Sequence, residues 1–138
     1  MATTTRSSWY ELRDAIADRD FISAASFIQT DPALITKTNG IGETVLHFLA
    51  VENDALGVAW LHDHGADLNC ENDFGIAAWF EAAQLGYREL LLWFVQAGVN
   101  LNATDRAAQG ILTFLTAMGE SEMVEFVVSN VAHPTWRV

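Results

Sequence analysis

Apolar and polar residues follow each other along most of this chain with the period of short amphipathic helices. Leu46, Leu49 and Ala50 fall on one face of a helix, and a second apolar segment follows and stops at Gly65. The same plan returns 33 residues later, around Trp79. This pattern predicts pairs of short helices that are joined by turn-rich connections.

The plan repeats with a constant step. Gly-Ala-Asp-Leu-Asn at 65–69 returns as Gly-Val-Asn-Leu-Asn at 98–102. Aromatic residues keep the same 33-residue step, and they are Phe27, Trp60, Trp93 and Phe126. A repeat of this length predicts a stack of units, and we expect the four aromatic side chains in its buried core. The expected units are about 8–38, 39–71, 72–104 and 105–134, within one domain that covers 1–138.

The connections between the predicted helices are rich in Asn, Asp and Gly, which suits tight turns. Residues 69–75 and 102–106 have this composition. Gly86 and Gly98 stand where a helix must end, so we expect a positive φ at both. The connections should project as short hairpin-like loops with little true strand.

The segment 42–50, Gly-Glu-Thr-Val-Leu-His-Phe-Leu-Ala, resembles the ankyrin repeat signature T-P-L-H-x-A. Thr44, Leu46 and His47 match it, and residues 65–69 resemble the Gly-Ala-Asp-Val-Asn that ends such a repeat. The resemblance implies an all-α ankyrin repeat solenoid of four helix-turn-helix units. The signature proline is missing from every unit, and the first and last units depart furthest from the pattern, as terminal capping units do.

The net charge of the chain indicates which classes of partner it can bind. The 138-residue chain carries seven basic and eighteen acidic residues, a net charge of −11, with no Lys or Arg between Lys37 and Arg88. Direct nucleic-acid binding is disfavoured because it needs a cationic footprint, whereas a basic protein would be attracted. No apolar run is long enough for a membrane span, and no signal-peptide core is present. Since Cys70 is the only cysteine, no internal disulfide can form, and we expect a reduced, cytoplasmic protein. We also expect the protein to be monomeric when free.

The candidate catalytic and metal-binding residues have simpler structural interpretations. His62 and His64 lie two positions apart on a predicted helix, so they point to different sides and one ion cannot easily take both. The resemblance implies that His47, at the signature position, ties backbone between neighbouring units. No local carboxylate pair, nucleophile elbow or phosphate-binding loop is present. We therefore expect no enzyme activity, no metal and no cofactor.

The resemblance also implies where a partner would bind, since ankyrin proteins usually meet partners at hairpin tips and at the exposed side of the inner helices. Several apolar residues occupy positions where solvated side chains would normally be polar. The residues expected to bind a partner are Ile41, Glu43, Phe48, Val51, Glu52, Asp73, Phe74, Ile76, Glu81, Gln84, Leu85, Arg106, Phe114 and Met118. The alternative is that the apolar residues at the tips tuck against the neighbouring hairpin.

These observations predict a non-catalytic protein-interaction module that binds a basic protein through its concave face and hairpin tips. A small acidic ankyrin domain of this kind resembles immunity proteins and antitoxins, which neutralise a toxin enzyme by occluding it. One alternative is a general adaptor or regulatory subunit of a larger complex. Another, from a different class, is an enzyme whose site has no motif in the sequence.

Overall fold

The regular structure of the chain is helical. The computed structural model describes residues 8–99 and 110–129. The helices in these ranges are α1 (Ser8–Ala17), α2 (Phe21–Thr30), α3 (Val45–Val51), α4 (Ala55–Asp63), α5 (Ala78–Gln84), α6 (Arg88–Gln96), α7 (Ile111–Ala117) and α8 (Ser121–Ser129). A 3-10 turn, Pro32–Ile35, follows α2. The prediction of an all-α fold is confirmed, and none of these helices is long and apolar enough to cross a membrane.

The helices are joined in pairs by very short turns, so each pair forms a helical hairpin. The helix α1 packs on α2, α3 on α4, α5 on α6, and α7 on α8. The hairpins contact each other chiefly through their first helices, since α3 packs against both α1 and α5. The helices α6 and α8 also touch. This arrangement is a stack of repeated hairpins, as the sequence spacing predicts.

Side-chain hydrogen bonds fix where two of the helices begin. Thr44 precedes α3, and its Oγ1 accepts a hydrogen bond from the backbone N–H of His47 at 3.2 Å. Asp54 precedes α4, and its Oδ1 accepts from the N–H of Gly57 at 3.0 Å. These caps satisfy backbone donors that the first turn of a helix leaves without a partner.

The first two units are separated by 34 residues, one more than the predicted step. Asp20 caps α2 as Asp54 caps α4, and the two aspartates are 34 positions apart. The turn of each hairpin contains one residue with a positive φ, and these residues are Arg19, Asn53, Gly86 and Gly119. The spacing from each of them to the next is 34, 33 and 33 residues. Phe27 is therefore equivalent to Leu61, and not to Trp60 as the aromatic spacing suggested.

The centre of the stack is filled by side chains other than those of Phe27, Trp60 and Trp93. Fully or almost fully buried residues in corresponding places are Leu61, Phe94 and Val127. Phe27, Trp60 and Trp93 are only half-buried at the edge of this core, so the prediction that they lie inside it is wrong. The reason is geometric, because Trp60 and Trp93 precede the buried positions by one residue, about 100° around the helix. The side chain of Phe126 lies outside the described part of the structure.

The hairpin-like loops carry β-type hydrogen bonds without forming an extended strand in the described ranges. Asn72 donates its N–H to the carbonyl of Ile76 at 3.1 Å, and Glu71 and Ala77 form an isolated antiparallel bridge. The expectation of little true strand is confirmed. The expected positive φ at Gly86 and Gly98 is confirmed as well, with values of 80° and 93°. Loop 39–43 closes in the same way, since Asn39 donates to the carbonyl of Glu43 at 2.9 Å.

Candidate partner-binding surface

Two large apolar side chains stand exposed at successive hairpin tips. Ile41 is 47% exposed and Phe74 is 49% exposed. The two tips adjoin, because the backbone N–H of Asp73 donates to the carbonyl of Ile41 at 3.0 Å. Asp73 is exposed beside them. Three of the predicted tip residues are therefore gathered at one place on the surface.

Two other predicted tip residues do not stand at the surface. Ile76 is half-buried against the core, which is the tucked arrangement that the sequence left as the alternative. Glu43 is only 6% exposed, so its expected place on the rim of the tip is wrong. The reason is two hydrogen bonds that hold this residue. Asn39 Nδ2 donates to Glu43 Oε1 at 3.0 Å, and Trp9 Nε1 donates to the backbone carbonyl of Glu43 at 3.1 Å. These bonds turn the carboxylate inward.

A second exposed row lies just beyond the C-terminal ends of α3, α5 and α7. Glu52, Leu85 and Met118 occupy this equivalent position in three successive hairpins. Leu85 is 47% exposed and Met118 is 59% exposed, and Glu52 is also exposed. Val51 and Gln84, one residue earlier, are half-buried. The predicted row is thus apolar at two of its three positions.

A third repeated position lies four residues before this row on α3, α5 and α7, and its side chains already pack partly against other residues of the protein. Its half-buried occupants are Phe48, Glu81 and Phe114. The ring of Phe48 meets the ring of Trp9 edge-on, with centroids 5.6 Å apart, and lies 5.2 Å from the guanidinium carbon of Arg13. Phe114 packs on the buried Phe80, with ring centroids 5.8 Å apart. A partner could therefore contact only part of each ring.

Two surface hollows gather several of the predicted residues. The hollow between the third and fourth hairpins is lined by Gln84, Tyr87, Leu91, Phe114, Met118 and Met123, among others. The hollow between the first and second hairpins is lined by Arg13, Arg19, Phe48, Glu52 and Asp54, among others. The first of these is mainly apolar and the second carries charges of both signs. Both are therefore places where a side chain of a partner could insert.

His47 lies at the centre of a buried polar cluster. Its Nε2 is 2.8 Å from Oε1 of Glu81 and 3.9 Å from Oε2 of Glu43. The imidazole is fully buried, and its Nδ1 has no hydrogen-bond partner among the described residues. The expectation that His47 ties backbone between units is therefore corrected. In the described ranges, His47 contacts the neighbouring unit through the side chain of Glu81 on α5.

The charge state of His47 follows from these neighbours. Burial disfavours the charged imidazolium and so lowers the pKa of His47, but the neighbouring Cys70 and Glu81 outweigh it and raise that pKa from 6.5 to about 9. Cys70 is held in place by the hydroxyl of Thr44, which donates to its sulfur at 3.4 Å. At neutral pH the imidazolium of His47 therefore faces the carboxylate of Glu81, and this pair joins the second hairpin to the third.

The family model of the ankyrin repeat matches residues 41–73. Residues 41–73 are therefore identified as an ankyrin repeat, and this match supports an ankyrin repeat assignment for the stack. The match runs from one exposed tip to the next and so contains α3 and α4, including the signature residues Thr44 and His47. A search of curated proteins finds no significant match to this chain. Ankyrin repeats are generally protein–protein interaction modules, and the family is typically non-catalytic.

This ankyrin stack places the described residues expected at the interface in three different settings. Six are exposed, namely Ile41, Glu52, Asp73, Phe74, Leu85 and Met118. Six are half-buried, namely Phe48, Val51, Ile76, Glu81, Gln84 and Phe114. Glu43 is buried, and Arg106 lies outside the described residues. Sequence reasoning missed the contact of His47 with Glu81, since these residues are 34 positions apart and only the register of the repeats brings them together.

Proposed function

We propose that this ankyrin repeat protein binds a basic protein partner through the exposed residues Ile41, Glu52, Asp73, Phe74, Leu85 and Met118, here called the tip-and-ridge surface. The observation that carries the proposal is the placement of its four apolar members. Each is about half exposed, and they occupy two positions that recur from hairpin to hairpin. Large exposed apolar side chains rimmed by acidic ones are typical of a protein interface.

The acidic charge of the chain supports a basic partner. Glu52, Asp63, Asp67, Glu71 and Asp73 are all exposed. The described Lys and Arg side chains are each paired with a carboxylate elsewhere, as Arg19 is with Asp54 at 2.8 Å and Arg88 with Glu120 at 2.7 Å. The stretch from 38 to 87 contains no Lys or Arg. Its field would attract a basic protein and speed the encounter.

The strongly acidic charge favours a more specific role as an inhibitor. A protein of this kind acts by covering the working face of its partner, as an immunity protein or antitoxin does to a toxin enzyme. We place this action at the concave face and the hairpin tips, in a monomer in the cytoplasm. A general adaptor that assembles larger complexes through the same surface is the second candidate, because Leu85, Phe74 and Ile41 would serve any apolar partner.

Affinity capture with matched variants tests the surface. Ile41→Asp with Phe74→Asp removes the tip contacts, and both side chains are exposed enough for the fold to survive. Ile22→Asp with Leu56→Asp is the control, because these residues are 87% and 55% exposed on the outer helices α2 and α4. We expect the wild type and the control to retain the same protein from native extract and the tip variant to lose it. Retention by the tip variant would remove the tips from the interface.

The salt dependence of binding separates the two candidate roles. An electrostatically steered inhibitor should bind its captured partner with an association rate that falls steeply as salt is added. An adaptor held by apolar contacts should show a nearly constant association rate. Stopped-flow or surface-plasmon measurements of the captured partner over a salt series distinguish them, and an activity assay of that partner then shows whether binding inhibits it.

A further inference from the structure

The polar cluster around His47 has the composition of a metal site. Glu43, His47 and Glu81 each offer a ligand atom, and these atoms all lie within 4.8 Å of one another. Both carboxylates approach the same imidazole nitrogen, Nε2, at 2.8 and 3.9 Å. One nitrogen and two carboxylate oxygens that converge on one point are a donor set that divalent transition metals accept.

The two separations that involve the imidazole are close to those that an ion would require, and the carboxylate oxygens of Glu43 and Glu81 lie within 4.8 Å of each other. Ligand atoms bound to zinc at about 2.0–2.2 Å in a tetrahedron lie roughly 3.4 Å from one another. The contact of Nε2 with Glu81 would have to open from 2.8 Å, and the contact with Glu43 would have to close from 3.9 Å. Each shift is about half an ångström, which is small enough for side-chain rotation alone.

The negative charge of the cluster is poorly compensated by the protein itself. Glu43 is buried and Glu81 is about three-quarters buried, yet neither is paired with a Lys or Arg of the described ranges. The basic side chains there pair with other acids: Arg13 with Asp14, Arg19 with Asp54, Lys37 with Asp31, and Arg88 with Glu120 and Glu122. Burying two carboxylates against a single imidazole leaves a net negative charge, which is costly in a low-dielectric setting.

The cluster is also held in position and can be reached from solvent. Asn39 donates to Glu43 Oε1 and accepts from the backbone N–H groups of Ile41 and Glu43, so the loop orients this carboxylate. An outer hydrogen bond of this type is how proteins aim a metal-binding carboxylate. The side chain of Glu81 is 26% exposed, which leaves an entry path for an ion.

We propose that Glu43, His47 and Glu81 form a binding site for a divalent transition-metal ion such as Zn²⁺. The imidazole Nε2 and one oxygen of each carboxylate are the protein ligands, and water completes the coordination. Zinc takes the place of the proton on Nε2 of His47, and that proton is released to solvent. Since Glu43 and His47 belong to the second hairpin and Glu81 to the third, the bound ion links two units of the stack.

Zinc titration of the chelator-stripped, tag-free protein by isothermal calorimetry tests the site. We expect one equivalent to bind and the thermal midpoint to rise with zinc, because the ion binds only the folded arrangement. Glu43→Gln and Glu81→Gln should each weaken binding by roughly tenfold or more, since even outer-shell changes cost about that much. Both amides can still hydrogen-bond their neighbours, and circular dichroism confirms that the variants are folded.

A surface control separates this site from adventitious binding. His62 and His64 are exposed on the same hairpin, so His62→Gln with His64→Gln should leave the single equivalent intact. Nitrogen-15 correlation spectra of the imidazoles should show Nε2 of His47 shifting on addition of zinc. The proposal is overturned if no saturable binding occurs at micromolar zinc, if both Gln variants bind as the wild type does, or if the His62 and His64 control loses the ion instead.

Discussion

Trp93 and Phe94 are neighbours in sequence but contribute differently to the stability of the fold. Phe94 is fully buried, whereas Trp93 is half-buried and meets the ring of His62 edge-on at 5.7 Å. Loss of a buried ring leaves a cavity, so Phe94→Ala should lower the free energy of unfolding by about 3–5 kcal/mol. Trp93→Ala should cost about 1–2 kcal/mol, because less apolar area returns to water. Urea unfolding measures both, and a larger loss for Trp93→Ala would contradict this assignment of the core.

The raised pKa of His47 predicts that stability falls as the pH rises. In the folded protein this pKa is about 9, against an ordinary value of 6.5, so the folded state holds the proton more tightly. The stabilisation is complete below the lower pKa and is lost as the pH rises through the upper one. A shift of this size corresponds to about 3 kcal/mol. Chemical unfolding in EDTA at pH values of about 6, 7.5 and 9 measures it.

A variant of the same residue is the control for this pH dependence. Glutamine at position 47 cannot carry the charge, so His47→Gln should be less stable than the wild type at low pH and should show a much flatter profile. If the two proteins lose stability in parallel between low and high pH, the titrating group is not His47. The chelator keeps the measurement independent of any bound ion.

At the scale of the element, α4 shows why a glycine can be required inside a helix. Alanine usually stabilises a helix by about 1 kcal/mol relative to glycine. A Cβ on Gly57, however, would lie 2.7 Å from Oδ2 of Asp54 and 2.9 Å from Cγ2 of Ile16. Asp54 caps α4 and holds Arg19 through two hydrogen bonds, at 2.9 and 2.8 Å. The methyl group would therefore disturb the cap, the ion pair and the packing between two hairpins.

We expect Gly57→Ala to destabilise the protein by about 1–2 kcal/mol, the loss typical of a displaced cap or an overpacked contact. Thermal and urea unfolding measure the change. In an Asp54→Ala background the clash with the carboxylate is gone, so the same substitution should cost less there. A double-mutant cycle isolates this coupling. Stabilisation by Gly57→Ala in the wild-type background would show that helix propensity outweighs the close approach.

Helices could be predicted from the sequence because their apolar spacing, caps and glycines are local features. The signature at Thr44 and His47 indicated the ankyrin repeat that matches residues 41–73, and the positive φ of Gly86 and Gly98 followed from where the helices end. The register of the first unit could not be predicted, since the extra residue between Asp20 and Asp54 becomes visible only when caps and turns are aligned in space.

The candidate surface was predictable only in part, because exposure depends on contacts between units. Ile41 and Phe74 are exposed at the tips, as repeat register suggested. Glu43 is a polar residue in a loop, so the sequence predicts that it is exposed. Hydrogen bonds from Asn39 and Trp9 nevertheless keep it buried. The cluster of His47 with Glu81 joins two units, and nothing in the local sequence of either residue indicates the other.

At the scale of the whole molecule, the net charge of −11 should make the folded state sensitive to salt. Acidic residues far exceed basic ones, so like charges repel in the compact state. The exposed ion pairs that salt would also weaken, such as Lys37 with Asp31, contribute little. When salt is added, the screening of this repulsion should therefore outweigh the weakening of the ion pairs. The Debye length falls from about 30 Å at 0.01 M salt to about 10 Å at 0.1 M, so most of the effect should appear in this range.

We expect the thermal midpoint to rise as sodium chloride is added, by about 4 °C for each kcal/mol of repulsion that is screened in a chain of this size. Asp63→Lys with Glu71→Lys is the matched test of the cause, because both side chains are exposed and each change replaces a negative with a positive charge. This variant should be more stable at low salt and should gain less from added salt. A midpoint that falls with salt in the wild type, or rises equally in both proteins, would show that specific ion pairs or apolar burial outweigh the net charge.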